Sequence, residues 1–242
     1  MKQDKTKKQV GGRLFNSSIE YYQQDWQDYY PTIVRLVPSN SFVLDIGCGR
    51  GGLLEYLRDK KNCHVAGVDM SDEAIRILKE RGIEAIKADV EEDEIPGIYD
   101  VIILAATLEH LIDPLSVLSK LRNNLRNDQG SIIIGVPNFS HIFARIQHLF
   151  GKNVTRFGDS EVDKKLGIQP LGHIQFFNKP TLSHVLEKTG YKPLEWGYYS
   201  PPPLRKSKVP LYKLPPAWII HKLYTIDHEL FSGFIAVKAV KK

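Results

Sequence analysis

Apolar and polar positions follow two alternating rhythms along most of this chain. Short apolar runs, suited to strands buried on both faces, fall at Ser41–Ile46, His64–Val68, Ile83–Ala88, Tyr99–Ala105 and Ser131–Val136. Between them, apolar residues recur three and four apart. That spacing predicts helices over Gly51–Lys60, from Ser71 to about Arg81, and over Pro114–Leu125. Ser71, three residues before Ala74, suits a helix cap. Two more helices are predicted: His141–Phe150, closed by Gly151, and Lys179–Lys188, closed by Gly190. Tyr191–Tyr199 and Phe231–Val240 read as final strands. Ahead of these, Ile19–Val37 reads as an aromatic-rich helix that Pro31 breaks or kinks.

Repeated strand–helix alternation implies an α/β fold: a doubly wound, Rossmann-like, mostly parallel sheet covered on both faces, with an antiparallel final strand. The 242 residues suffice for one full core, so a single domain over 1–242 is expected. Its parts are a flexible basic tail (1–15), a helical lid (16–37), the core (38–199), an insertion (200–230) and the final strand (231–242). Prolines exclude regular structure in the insertion up to Pro216, and Ala217–Tyr224 then suits a short helix. That helix fits core packing best. Substrate binding, a homodimer contact and a weak membrane-surface contact are its alternatives.

Charge is distributed unevenly. The net charge is +5, yet residues 1–13 carry +4, residues 204–242 carry +6 and the body between them carries −5. A nucleic-acid binder would more often carry a basic stripe on its body, so no nucleic-acid partner is expected. The longest apolar stretch, Val101–Leu108, is too short to span a bilayer. No apolar segment follows the charged start, and the only cysteines are Cys48 and Cys63. Both facts fit a cytoplasmic protein.

In doubly wound sheets the ligand sits beyond the strand C-termini, where strand order reverses. The loop after the first core strand is Asp45-Ile46-Gly47-Cys48-Gly49-Arg50-Gly51-Gly52. Its glycines permit a tight turn and a close backbone approach to a ligand. Asp69, at the end of the next strand, stands where a carboxylate accepts ribose hydroxyls. Gly47, Gly49 and Gly52 also fit a dinucleotide fingerprint. Asp45 argues against it, because a pyrophosphate there would meet a second negative charge. A carboxylate suits a cationic ligand instead, and S-adenosylmethionine has a sulfonium, an ammonium and no phosphate.

At these residues the chain resembles class I S-adenosylmethionine-dependent methyltransferases. VLDIGCGRGGLL resembles their first motif, GVDMS the second, ADVEE the segment after the third strand, and YDVIILAATLEHLIDP the fourth-strand motif. Further on, VPNFSHIFARIQHLFGK and GHIQFFNKPTLSHVLEKTGY resemble the MetW-like branch and the methyltransferases of polysaccharide-biosynthesis clusters. The resemblance implies cofactor roles residue by residue. Gly47 and Gly49 pack under the methionine part, and the loop backbone, Cys48 included, holds its amino group with help from Asp45. Asp69 takes the ribose, Met70 lines the adenine, and Asp89 with the Val90 N–H reads the adenine edge. Ala105 lies beneath the methionine moiety. Cys48 is expected to fill space rather than act as a nucleophile, since nothing near it in sequence lowers its pKa.

Methyl transfer from a sulfonium is an in-line displacement, so the protein mainly positions and desolvates the acceptor. A base is needed only for a protonated hydroxyl, and histidine suits neutral pH. His110, just past the fourth strand, and His173, ahead of the Lys179–Lys188 helix, are the catalytic candidates. No H-x-x-x-H or H-E-x-x-H spacing occurs, so no metal site is expected. The aromatic run Tyr21–Tyr30 suits either a lid over the cofactor, with Tyr22 and Trp26 four apart on one helix face, or a cover for the sheet edge. The expected substrate is a small molecule, a sugar or a lipid-linked intermediate. The competing reading is a cofactor-binding regulator, or a partner of another biosynthetic enzyme, without catalysis of its own.

Overall fold

A computed structural model describes residues 7–10, 13–16, 27–151, 173–199, 222, 225 and 227–242. The lid residues Tyr22 and Trp26 and nearly all of the 200–230 insertion lie outside these.

Within the segment expected to be a flexible tail, strands β1 (Lys7–Val10) and β2 (Arg13–Asn16) pair as an antiparallel hairpin. Helix α1 covers Tyr30–Leu36, and Pro31 lies in its first turn. Residues 27–29 are not helical, so the expected break at Pro31 falls at the start of this helix. A first-turn residue needs no N–H for the helix ladder, so proline starts this helix rather than bending it.

The core follows as β3 (Phe42–Ile46), α2 (Gly52–Lys61), β4 (His64–Asp69), α3 (Asp72–Glu80), β5 (Glu84–Lys87), β6 (Val101–Ala105), α4 (Pro114–Leu121) and β7 (Ser131–Pro137). Then come α5 (Ile142–Leu149), α6 (Lys179–Lys188), β8 (Tyr191–Tyr199), the short α7 (His228–Phe231) and β9 (Phe234–Lys241). Boundaries shift by a few residues from the sequence reading. Helix α4 ends at Leu121 and passes into a 3₁₀ turn over Arg122–Asn124. Phe231 closes a helical turn rather than opening the last strand.

Seven strands form one sheet in the order β5-β4-β3-β6-β7-β9-β8. Strands β3 to β7 are mutually parallel, and β9 runs antiparallel to both β7 and β8. Alternate residues of the central strands enter two apolar layers. Leu44, Ile102, Leu104, Ile132 and Ile134 join one face with Val117, Leu118 and Leu121 of α4 and Leu182 and Leu186 of α6. Val43, Val101, Ile103 and Ile133 join the other with Ile33 and Leu36 of α1 and Leu53, Leu54 and Leu57 of α2. Burial on both faces explains why these strands read as continuous apolar runs.

Chain order reverses at β3. From β3 the chain steps outward to β4 and β5, then crosses back so that β6 lies on the other side of β3. The two crossovers leave a crevice beyond the C-terminal ends of β3 and β6.

Candidate functional site

The loop leaving β3 is fastened to its neighbours mainly through the backbone. Gly47 and Cys48 donate their N–H groups to Val68 O (2.8 and 3.1 Å). Asp69 at the end of β4 accepts the N–H of Gly49 at 3.0 Å and that of Ser71 at 2.9 Å. One carboxylate therefore ties the glycine loop to the start of α3. Ser71 in turn caps α3 through the N–H of Ala74, as its spacing predicts. Gly47 has φ +72°, and a Cβ on it would meet Thr107 Oγ1 at 2.7 Å. Thr107 occupies that space because its hydroxyl donates to Ile46 O at 2.8 Å.

A cavity of about 510 Å³ opens over this loop. The structure brings Gly47, Cys48, Gly49, Asp69, Met70, Asp89, Val90, Ala105, His110 and His173 to its walls. Asp45 is not among its lining residues. It is 3% exposed, and its Oδ1 accepts no hydrogen bond among the described residues. Burial, and then the nearby Asp69 charge, hold its carboxyl well above the usual carboxylate range. Cys48 is also buried, and burial followed by the same two carboxylates pushes its thiol up. A raised thiol suits the filler role expected of it. A Cβ on Gly67 would come within 2.6 Å of its sulfur, so Gly67 makes room for it.

Two features of the site go beyond the sequence reading. The first is the aromatic wall. Tyr29 and Tyr30 line the cavity together with Phe234. Tyr29 stacks on Phe234, with ring centroids 4.2 Å apart and planes at 16°, while Tyr30 stands edge-on to Tyr29 at 5.2 Å. Tyr29 belongs to the aromatic run that carries Tyr22 and Trp26. Phe234 comes from the far end of the chain, so no local signal joins them.

The second is Glu109. It sits in a 3₁₀ turn, Leu108–His110, just beyond β6. The residue lines the cavity, yet it is 0% exposed and, among the described residues, neither carboxylate oxygen accepts a hydrogen bond. Burial pushes its pKa up to about 8. His173 Nε2 lies 3.8 Å from Glu109 Oε1, and burial lowers the imidazole pKa. The His110 and His173 rings are 5.0 Å apart. The backbone explains this meeting: Glu109 O accepts the N–H groups of Ile174 and Gln175, at 3.0 and 3.1 Å. An acidic residue set between leucine and histidine, at the C-terminal end of a buried strand, was the available signal.

Next to this turn, Ala106 has φ +56° and also lines the cavity. Its N–H donates to Gly135 O at 2.8 Å, which holds the backbone in a conformation uncommon for a residue with a side chain. The bend turns the chain from β6 toward Glu109 and His110.

A family model described as a methyltransferase domain matches residues 18–195. (S)-tetrahydroprotoberberine N-methyltransferase of Eschscholzia californica is 29% identical over 134 residues, 52% of this chain and 37% of that protein. Ubiquinone biosynthesis O-methyltransferase of Aeromonas salmonicida is 35% identical over 104 residues, 40% of this chain and 43% of that protein. The chain thus spans less than half the length of either relative. A solved S-adenosylmethionine-dependent methyltransferase from Archaeoglobus fulgidus superposes with a TM-score of 0.59, over 87% of this chain and 90% of that one. At 20% identity this likeness concerns the fold.

Proposed function

This chain belongs to the methyltransferase-domain family, and from that membership we propose that it moves a methyl group from S-adenosylmethionine to a small-molecule acceptor, with sugars and lipid-linked intermediates included. The observation that carries the reading is one continuous cavity. Its walls include both the glycine loop with Asp69 and the group Glu109, His110 and His173; we take the first as the cofactor end and the second as the acceptor end.

The loop end fits the cofactor. Its glycines expose backbone, and Asp69 keeps lone pairs for ribose hydroxyls beyond the two N–H groups it already accepts. Met70, Asp89 and Val90 supply the adenine wall, and Ala105 underlies the methionine part. Asp45 acts as a buried acidic group rather than as a direct contact. When bound, S-adenosylmethionine supplies a methyl group activated by its sulfonium. The chain's own task is then to orient the acceptor in line with that methyl and to exclude water. Tyr29, Tyr30 and Phe234 provide an apolar wall for this, and Tyr22 and Trp26 extend the same aromatic run as a lid. His110 and His173, at the acceptor end, bind the acceptor or receive its proton.

The finer placement in the MetW-like or polysaccharide-cluster branch is supported by the VPNFSHIFARIQHLFGK and GHIQFF segments. Against a purely regulatory, cofactor-binding role stands the extension of the cavity beyond the cofactor residues to three chemically competent side chains. Calorimetric titration with S-adenosylmethionine, S-adenosylhomocysteine and NAD tests the reading. Binding of the first two with no NAD binding is expected; preferential NAD binding overturns it.

A further inference from the structure

We propose that Glu109, His110 and His173 together hold a divalent cation that binds an oxygen of the methyl acceptor. The proposal rests on the methyl-transfer reading only for the cation's use, not for its binding.

Each of the three residues offers one ligand atom, and these atoms lie within 4.8 Å of one another. Metal–nitrogen and metal–oxygen bonds of about 2.0–2.2 Å place adjacent tetrahedral ligands roughly 3.3–3.6 Å apart, so the most widely spaced donors must close by about 1 Å. His173, 35% exposed at its side chain, has the freedom to make that adjustment. Glu109 supplies the independent observation. A fully buried carboxyl at the cavity wall, with neither oxygen accepting a hydrogen bond among the described residues, is costly while charged, and a proton or a bound cation relieves that cost. Among the described residues the group facing it is the His173 imidazole, at 3.8 Å. That distance is too long for a hydrogen bond and leaves room for an ion between the two.

The backbone supports the same arrangement. The carbonyl of Glu109 accepts the N–H groups of both Ile174 and Gln175, so the segment carrying the second histidine is held against the turn carrying the other two ligands. Two imidazoles and one carboxylate suit zinc, manganese, iron or cobalt better than magnesium or calcium. Three protein ligands leave coordination positions open to the cavity. A hydroxyl of the acceptor coordinated there loses its proton to solvent far more readily than in water. The resulting oxygen anion then attacks in line. The new oxygen–carbon bond forms as the carbon–sulfur bond breaks, and that bond's electron pair goes to sulfur, turning the sulfonium into a neutral thioether. The acceptor class is thereby narrowed to hydroxylated molecules. The expected absence of a metal rested on spacing along one segment, and ligands from two segments fall outside such patterns.

The test is cation binding to the full chain after metal stripping. Cobalt(II) would be followed by its visible absorption and manganese(II) by electron paramagnetic resonance. S-adenosylhomocysteine affinity would be measured on the same samples. We expect one cation per chain and at least tenfold weaker binding in both Glu109→Gln and His173→Ala, with S-adenosylhomocysteine affinity unchanged. Glu109→Gln preserves shape, and His173→Ala removes a half-exposed ring. At least one variant is thus expected to fold, as its retained S-adenosylhomocysteine binding would report. The proposal is overturned by no cation uptake at millimolar metal, or by uptake that neither variant weakens. It is also overturned if the wild-type site takes an organic ammonium in preference to the metals. Loss of S-adenosylhomocysteine binding by the wild type would sink the methyl-transfer reading separately.

Discussion

Asp69 does two jobs with one carboxylate, and its replacement should reveal both. It accepts the N–H groups of Gly49 and Ser71, and it faces the cavity. Asp69→Ala should lower S-adenosylmethionine affinity by roughly ten- to a hundredfold, the loss of a charge-assisted hydrogen bond to ribose. It should also destabilise the ligand-free protein by about 1–3 kcal/mol, because two loop N–H groups lose their acceptor. Calorimetry and urea unfolding separate the two effects; unchanged affinity in a folded variant would remove Asp69 from the site. Asp45 should behave in the opposite sense. Its folded pKa is raised, so the native state binds its proton more tightly than the unfolded chain does. Its contribution is therefore fully present below the unfolded pKa of about 4 and is lost as pH rises through the folded value. Asp45→Asn carries no such charge. At pH 7 it should be more stable than the wild type by about 1–3 kcal/mol, and at pH 4 the gap should shrink. Thermal midpoints across that range check the sign, and a gap that widens toward acid would contradict it.

Helix α6 packs on the sheet through Leu182 and Leu186, and its start is set by a capping box. The Asn178 side chain accepts the N–H of Thr181, and the Thr181 hydroxyl receives the N–H of Asn178, both at 2.9 Å. Asn178 also donates to Ser140 Oγ at 2.9 Å, joining the helix start to the segment after β7. Asn178→Ala should therefore cost about 1–2 kcal/mol, the upper part of the range for a lost cap. Because α6 begins six residues after His173, the same change should weaken acceptor binding more than cofactor binding. Urea unfolding measures the first effect. Paired titrations with cofactor and acceptor measure the second, and equal losses would disconnect α6 from the acceptor end.

At the scale of the whole molecule, the cavity proposed to hold the cofactor is lined from the ends of β3, β4 and β6 and from the segments that follow them and β5. A ligand seated there should stabilise the fold as a unit. With S-adenosylhomocysteine at about a hundred times its dissociation constant, linkage gives roughly 2.7 kcal/mol. For a chain of this size that corresponds to a rise in Tm of about 5–10 °C. NAD at the same concentration should produce no rise. A thermal shift experiment decides between the two, and no shift with saturating S-adenosylhomocysteine would contradict this picture of the site.

The sequence by itself determined the sheet and the sharp glycine loop that ends its first core strand, because both are written in local signals. A strand buried on two faces must be a short apolar run, and Val101–Ala105 is one. A loop that bends back sharply at the end of such a strand needs glycine, and Gly47, Gly49 and Gly51 all have positive φ. Such features need only neighbouring residues, so spacing along the chain is enough to find them. The position of Asp45 was different. Its place in the motif was legible, but its absence from the cavity wall depends on which side of β3 faces the cavity. Pro31 carried two local meanings, and only the packing of Ile33 and Leu36 on the sheet made it a helix start. The acceptor half was decided by tertiary structure alone. Glu109 with His173, and Tyr29 with Phe234, are contacts across long loops of chain, made by a backbone carbonyl and by the crossing of β9 beside β7. Pairing of that kind leaves no period in the sequence, because the residues meet only after the sheet has closed around them.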